Sequence, residues 1–279
     1  MAVDVTIKSK GLFKKTLSIQ DILLDGMKYG ITDEAFRLEE GKIGKYTVIY
    51  DSSCINRGYE ISFKRGITEL RMPLPTSEQD IKKFYELIEK ICKLMNTNVF
   101  IHDDEKVSIN EIDSLMDGCM RTSEAVLKSM REETTAEKEG TYLFGAMNPI
   151  CFGKRELDFI QDDPKKLGEF MHELQSKDVY YAKCNAYKRV DGSIFGVYIL
   201  TEDVVTVLPC KASLFMNNNI EVNDYNISFV IDGNLSGSIP YDVFLKNVDQ
   251  SNIYDSEHFI ISLSRDKMIE LLKQYKIDL

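Results

Sequence analysis

Three histidines are the side chains of this sequence best suited to acid and base chemistry near neutral pH, and each stands in a different setting. His102 opens the run His102-Asp103-Asp104-Glu105 after the apolar stretch from Val99 to Ile101. An imidazole beside carboxylates at a strand end could hold a divalent cation or position a water. His102, Asp103 and Asp104 are therefore the first catalytic candidates, for a metal-assisted hydrolase assembled by the fold. The competing reading is a solvated turn leading to the next helix. His172, between Met171 and Glu173, lies beside the apolar stripe of a helix, with no second histidine four residues on, so the zinc-protease pattern is missing. His258 follows Asp255 and Glu257 and reads as an edge residue before a strand that starts at Phe259.

Nucleophiles are no better supported. Cys54, in Asp51-Ser52-Ser53-Cys54, is the most exposed cysteine candidate, with Cys210 after Pro209 weaker, and neither has a neighbouring sequence that would activate a thiolate. Gly237 in Leu235-Ser236-Gly237-Ser238 lacks the partner glycine of a nucleophile elbow. The segment 232–238 is the nearest approach to a glycine-rich loop, but it has neither a phosphate-binding lysine nor dinucleotide spacing, and reads as a connection from a strand to a helix begun at Pro240. Of the pair Asp162 and Asp163, one is explained as the cap of a helix started by Pro164, which leaves a lone acid. No cofactor or metal motif is present. Tyr180 and Tyr181 are consecutive on a strand and must face opposite ways. One of them, together with Tyr198 on a paired strand, forms the candidate contact surface.

Composition narrows the classes further. A net charge of −10 opposes the phosphate backbone, so no nucleic-acid partner is expected. Lys8, Lys10, Lys14 and Lys15 are a local exception that reads as a solvated edge. No apolar run is long enough to span a bilayer and the first ten residues lack a secretory core, so the expectation is a cytoplasmic chain with no membrane partner. The six cysteines are widely spaced, and two fall on apolar helix faces, as in a reducing compartment.

The frame that must position these side chains is legible in the periodicity. Val3, Val5 and Ile7 alternate with polar residues, and three more alternating runs (Tyr46, Val48, Tyr50; Tyr59, Ile61, Phe63; Leu70, Met72, Leu74) predict an antiparallel meander. Ser18 with Asp21, Ser77 with Asp80 and Ser108 with Glu111 are spaced as capping boxes. The second opens a helix whose face carries Ile81, Phe84, Tyr85, Ile88, Ile91, Cys92 and Met95. Later, Asp191-Gly192 predicts a hairpin over 179–200, with strands at 204–208, 213–216, 227–231 and 259–263 and a last helix from Ser264. The fold class is α+β, with mostly antiparallel sheets and helices packed on one face. It is organised as two subdomains, 1–135 and 142–279, joined by a polar linker at 131–141.

The stretch 3–24, the segment Arg71-Met72-Pro73-Leu74-Pro75-Thr76-Ser77-Glu78-Gln79-Asp80 and the strand-rich second half together resemble an uncharacterised family of proteins from Gram-positive bacteria. The resemblance implies no activity and brings no catalytic residues. The leading expectation is a non-enzymatic protein that binds another protein, in an immunity-like or regulatory role, and the alternative is the carboxylate and histidine enzyme above.

Overall fold

The structure is a computed structural model that describes residues 1–10, 16–33, 37–135, 140–214 and 220–279. Two compact units divide the chain, Met1–Ser176 and Lys177–Leu279. In the first, the alternation of Val3, Val5 and Ile7 buries one face of β1 (Ala2–Lys8), and Ser18 and Asp21 cap the single turn α1 (Ile19–Ile22). There follow β2 (Met27–Thr32), β3 (Leu38–Glu40), β4 (Thr47–Asp51), β5 (Tyr59–Lys64), β6 (Ile67–Pro73), α2 (Glu78–Leu94), β7 (Val99–His102), β8 (Glu105–Ser108), α3 (Ile112–Glu133), β9 (Thr141–Phe144), β10 (Pro149–Phe152), α4 (Lys154–Ile160) and α5 (Pro164–Gln175).

Eight strands form one sheet in the order β3-β2-β4-β5-β6-β1-β7-β8, with every neighbour antiparallel. The expected meander is β4, β5 and β6. The apolar stripe of α2 shares one core with Val5, Ile7, Ile61, Leu70 and Met72, as its spacing of three and four requires. β9 and β10 form a separate hairpin.

The division of the chain differs from the one the sequence suggested. Residues Arg131 to Glu133 complete α3 and Thr141 begins β9, while 136–139 of the expected linker lie outside the described residues. α4 packs on α3 and α5 on α2, so the segment after residue 140 belongs to the first unit and the boundary falls after Ser176. Lys14 and Lys15 also lie outside the described residues.

The second unit holds β11 (Tyr180–Tyr181), β12 (Asn185–Lys188), β13 (Ile194–Thr201), β14 (Thr206–Pro209), β15 (Asp224–Ile231), β16 (Asn234–Pro240), α6 (Tyr241–Lys246), β17 (His258–Ile261) and α7 (Arg265–Tyr275). It has two sheets, β12-β13-β15-β16 and β11-β14-β17, with β13–β15 and β11–β14 parallel and the rest antiparallel. α6 and α7 cover the four-stranded sheet through a core that includes Leu200, Phe229, Ile239, Phe244 and Met268.

Asp191-Gly192 does turn a hairpin, but a shorter one, β12–β13. Asp232 and Gly233 both take positive φ (49° and 71°) and turn β15 into β16, so a strand stands where a connection to a helix was expected. Of the expected strand 213–216, Ser213 and Leu214 are not extended into a sheet, and Phe215 and Met216 lie outside the described residues. Among the described residues no helix is long and apolar enough to cross a membrane.

Candidate functional site

His102 ends β7, and Asp103 and Asp104 form the turn to β8 in left-handed backbone (φ 46° and 70°), a conformation that Asp tolerates better than most side chains. Asp103 is tied to β1 twice: its backbone N–H donates to Asp4 O and its Oδ1 accepts from Asp4 N–H, both at 2.9 Å. The His102 ring stacks on Tyr85 of α2, with Nε2 2.8 Å from the Tyr85 hydroxyl and Nδ1 3.5 Å from Asp103 Oδ2. Tyr85 Oη in turn lies 3.3 Å from Cys119 Sγ on α3.

Burial, opposed in part by Asp103, lowers the His102 pKa, and burial raises those of Tyr85 and Cys119. The ring is therefore neutral at neutral pH. In the tautomer whose proton sits on Nδ1, Nε2 accepts from the Tyr85 hydroxyl and the Nδ1–H faces Asp103. Such a chain orients an imidazole as a base would need, but it ends on a phenol only 1% exposed and a thiol 5% exposed. Both are closed off from solvent, and the chain's physical effect is to fasten the β7–β8 hairpin to α2 and α3. Asp104 is exposed and takes no part in it. Among the described residues no three His, Cys, Asp or Glu side chains converge as metal ligands.

The second unit contains the same three groups in a buried form. Asp255 Oδ1 lies 2.7 Å from His258 Nδ1 and also accepts the Glu257 N–H at 2.9 Å. His258 Nε2 lies 2.9 Å from the Tyr181 hydroxyl. Asp255 is 1% exposed, His258 5% and Tyr181 9%. His258 is thus not the exposed edge residue that the sequence suggested. It opens β17, pairs with Pro209 of β14, and is covered because β11 brings Tyr181 to it from 77 positions away.

The three candidate contact tyrosines also separate. Tyr180 is 45% exposed, whereas Tyr181 is buried and Tyr198 is 3% exposed, packed at a tilt against the Tyr241 ring and donating its hydroxyl to Ser213 O at 2.7 Å. The strands β11 and β13 belong to different sheets, so Tyr198 does not share a surface with Tyr180. Beside Tyr180 stand Val205, whose carbonyl accepts the Tyr180 N–H at 2.8 Å, and Val204, at 41% and 37% exposure.

The sequence also hid a buried carboxylate near Arg57 inside the first unit. Ser77 caps α2 by accepting the Asp80 N–H at 3.0 Å, but the Asp80 carboxylate does not reach back to complete the box. It turns inward, where Oδ2 accepts from Thr76 Oγ1 (2.7 Å), Arg57 N (3.0 Å) and Gly58 N (3.1 Å), while Oδ1 is buried without a hydrogen-bond partner. The Arg57 guanidinium donates to Pro75 O (2.7 Å) and Phe144 O (3.1 Å). Burial pushes Asp80 up to about 6, against the hydrogen bonds from Thr76, Gly58 and Arg57 and the Arg57 charge, and pushes Arg57 down to about 10, against the Asp80 charge. The one local signal was Gly58, at φ 67°, where a Cβ would stand 2.6 Å from Ile49 O.

Neither cysteine candidate is activated. Burial raises the Cys54 thiol, helped by the charges of Asp80 and Asp51, and burial with Asp255 and Glu257 raises Cys210. His172 uses Nδ1 to accept the Ile55 N–H at 3.0 Å, fixing a loop rather than facing a thiol. Asp163 caps α5 as expected, through Lys165 N at 2.8 Å, and Asp162 pairs with Arg131 at 2.6 Å.

No curated protein and no solved structure matches the chain. The model of one family, described as Domain of unknown function (DUF4299), matches residues 2–271. With nearly its whole length so covered, the chain belongs to that family.

Proposed function

We propose that this protein acts by binding another protein, in a regulatory or immunity-like role, and carries no catalysis of its own. The observation that carries the reading is the set of exposed apolar side chains Tyr180, on the edge strand β11, and Val204 and Val205, just before β14, with the Tyr180 N–H donated to the Val205 carbonyl. An exposed aromatic ring and two exposed β-branched side chains are suitable anchors for a partner, because burying them removes apolar area from water with little loss of side-chain entropy. The polar constellations favour the same reading, since both Asp-His-Tyr chains end on buried hydroxyls. A bacterial cytoplasm is the proposed setting, and the support for it is the use of six cysteines as free thiols.

Capture on the tagged protein from host lysate at moderate salt tests this. The wild-type chain should retain one partner in near-stoichiometric amount, and Tyr180→Lys with Val205→Lys should reduce retention at least about tenfold. Equal retention by that variant would remove the proposed surface. Turnover by the purified protein that disappears in His102→Gln would overturn the non-catalytic reading.

A further inference from the structure

β12 is the outermost strand of its sheet, and among the described residues its only neighbouring strand is β13. The side of β12 that faces away from β13 can be assigned. Arg189 N–H donates to Ser193 O at 2.8 Å, so Arg189 turns its backbone groups toward β13. Ile194 turns its own the other way, with its N–H to Asn223 Oδ1 and its carbonyl accepting Asn223 N–H, both at 2.8 Å. Antiparallel residues alternate in this respect, so Lys188, which pairs with Ile194, and Ala186, two residues before, direct their N–H and C=O groups outward. No hydrogen bond joins that side to another described residue.

An open edge of this kind is ordinarily shielded by charge or by a covering element. Here Lys188 is the only charged side chain on the strand, and Tyr187 is 49% exposed. The Tyr187 ring lies 5.6 Å from Phe195, which carries the Arg189 guanidinium 4.3 Å over its face. Arg189 is itself neutralised by Asp224 through two bonds of 2.8 and 3.0 Å.

We propose that β12 pairs antiparallel with β12 of a second copy of this chain, centred on Tyr187, joining the two four-stranded sheets into one of eight. The choice of register follows from the backbone. Outward-facing residues must meet outward-facing residues, which allows three centres. Centring on Lys188 sets two ammonium groups against each other, a destabilising cross-strand pair. Centring on Ala186 sets Lys188 against Cys184, whose Sγ is turned in to 2.8 Å from where a Cβ on Gly196 would stand. Centring on Tyr187 sets Ala186 against Lys188 of the second copy on both sides, with four backbone hydrogen bonds. The two Tyr187 rings then meet in the closer, non-hydrogen-bonded position, flanked by Phe195 of each copy. Arg189 then faces Asn185, so no like charges are opposed. The short strand and the net charge of −10 make the dimer weak, with a Kd of about 100 µM.

Sedimentation velocity from about 10 to about 500 µM tests the proposal, and should show concentration-dependent dimers. Ala186→Pro removes an outward donor while leaving the bonds to β13, and should weaken dimerisation at least about tenfold with an unchanged circular dichroism spectrum. Tyr187→Lys and Tyr187→Glu should each be monomeric alone and associate when mixed, a readout that does not depend on the proline variant folding. A wild-type chain that stays monomeric throughout, or an Ala186→Pro chain that dimerises equally well, would overturn the proposal. Failure of the two Tyr187 variants to associate would overturn the register.

Discussion

The two units hold chemically identical chains, Asp103-His102-Tyr85 and Asp255-His258-Tyr181, and differ in where the carboxylate sits. In the first, the Asp103 side chain is half exposed and 3.5 Å from the imidazole; in the second, the Asp255 side chain is fully buried and 2.7 Å away. Water screens and replaces the first contact, whereas the second is buried away from water. The same three residue types therefore fasten a surface hairpin in one place and hold a core junction in the other. In both copies the tyrosine hydroxyl at the end of the chain belongs to a buried residue.

A carboxylate with no histidine sharpens that comparison most. Asp80→Ala would leave Thr76 Oγ1 and the Arg57 and Gly58 N–H groups without their buried acceptor and remove the negative charge near the Arg57 guanidinium, and should cost about 3–5 kcal/mol in urea unfolding of the first unit. A loss under about 1 kcal/mol would mean that burial does not set the worth of these contacts. Asp255→Ala comes next, at about 2–4 kcal/mol in the second unit, because it leaves His258 Nδ1 and the Glu257 N–H without their acceptor. Asp103→Ala should cost no more than about 1 kcal/mol, most of it from the Asp4 N–H contact.

The smallest effect is a pH dependence. Burial lowers the His102 pKa from 6.5, so the unfolded chain binds the proton more readily and stability falls as pH drops below 6.5. The loss ends once the folded ring titrates as well. Asp80 acts in the opposite direction: its folded pKa of about 6 lies above 3.8, so its contribution grows as pH falls between those values. Subtracting the unfolding free energy of His102→Gln from that of the wild-type chain at each pH cancels Asp80. The difference should favour the wild-type chain less as pH falls below 6.5, and a flat difference would show that the His102 ring is not desolvated.

What the sequence made legible was local. The stripe from Ile81 to Cys92, the Ser108 and Asp163 caps and the Asp191-Gly192 turn each depend on neighbours within a few positions, and each stands in the fold as read. What it concealed was settled at long range. The parallel pairings of β11 with β14 and of β13 with β15 leave no periodic trace, so the pattern points Tyr198 to a surface with Tyr180 or Tyr181 when it faces a core. The burial of His258 depends on Tyr181, and the inward turn of Asp80 on a loop 22 positions earlier. Asp80 even satisfied the spacing of a capping box, because the same carboxylate position at the third residue of a helix can point back to the cap or into the core. At His102 the sequence suggested both a site and a turn, and the backbone of Asp103 and Asp104 is that of a turn.

Amide hydrogen exchange on Asp255→Ala and Asp103→Ala side by side tests the central claim most directly, because it reads each unit separately in the intact chain. The account predicts that Asp255→Ala lowers protection of the most slowly exchanging amides of β14 and β17 by at least about thirtyfold. Asp103→Ala should change those of α2 and β1 by no more than about fivefold. Equal losses in the two variants, or a β17 that stays fully protected without Asp255, would contradict it.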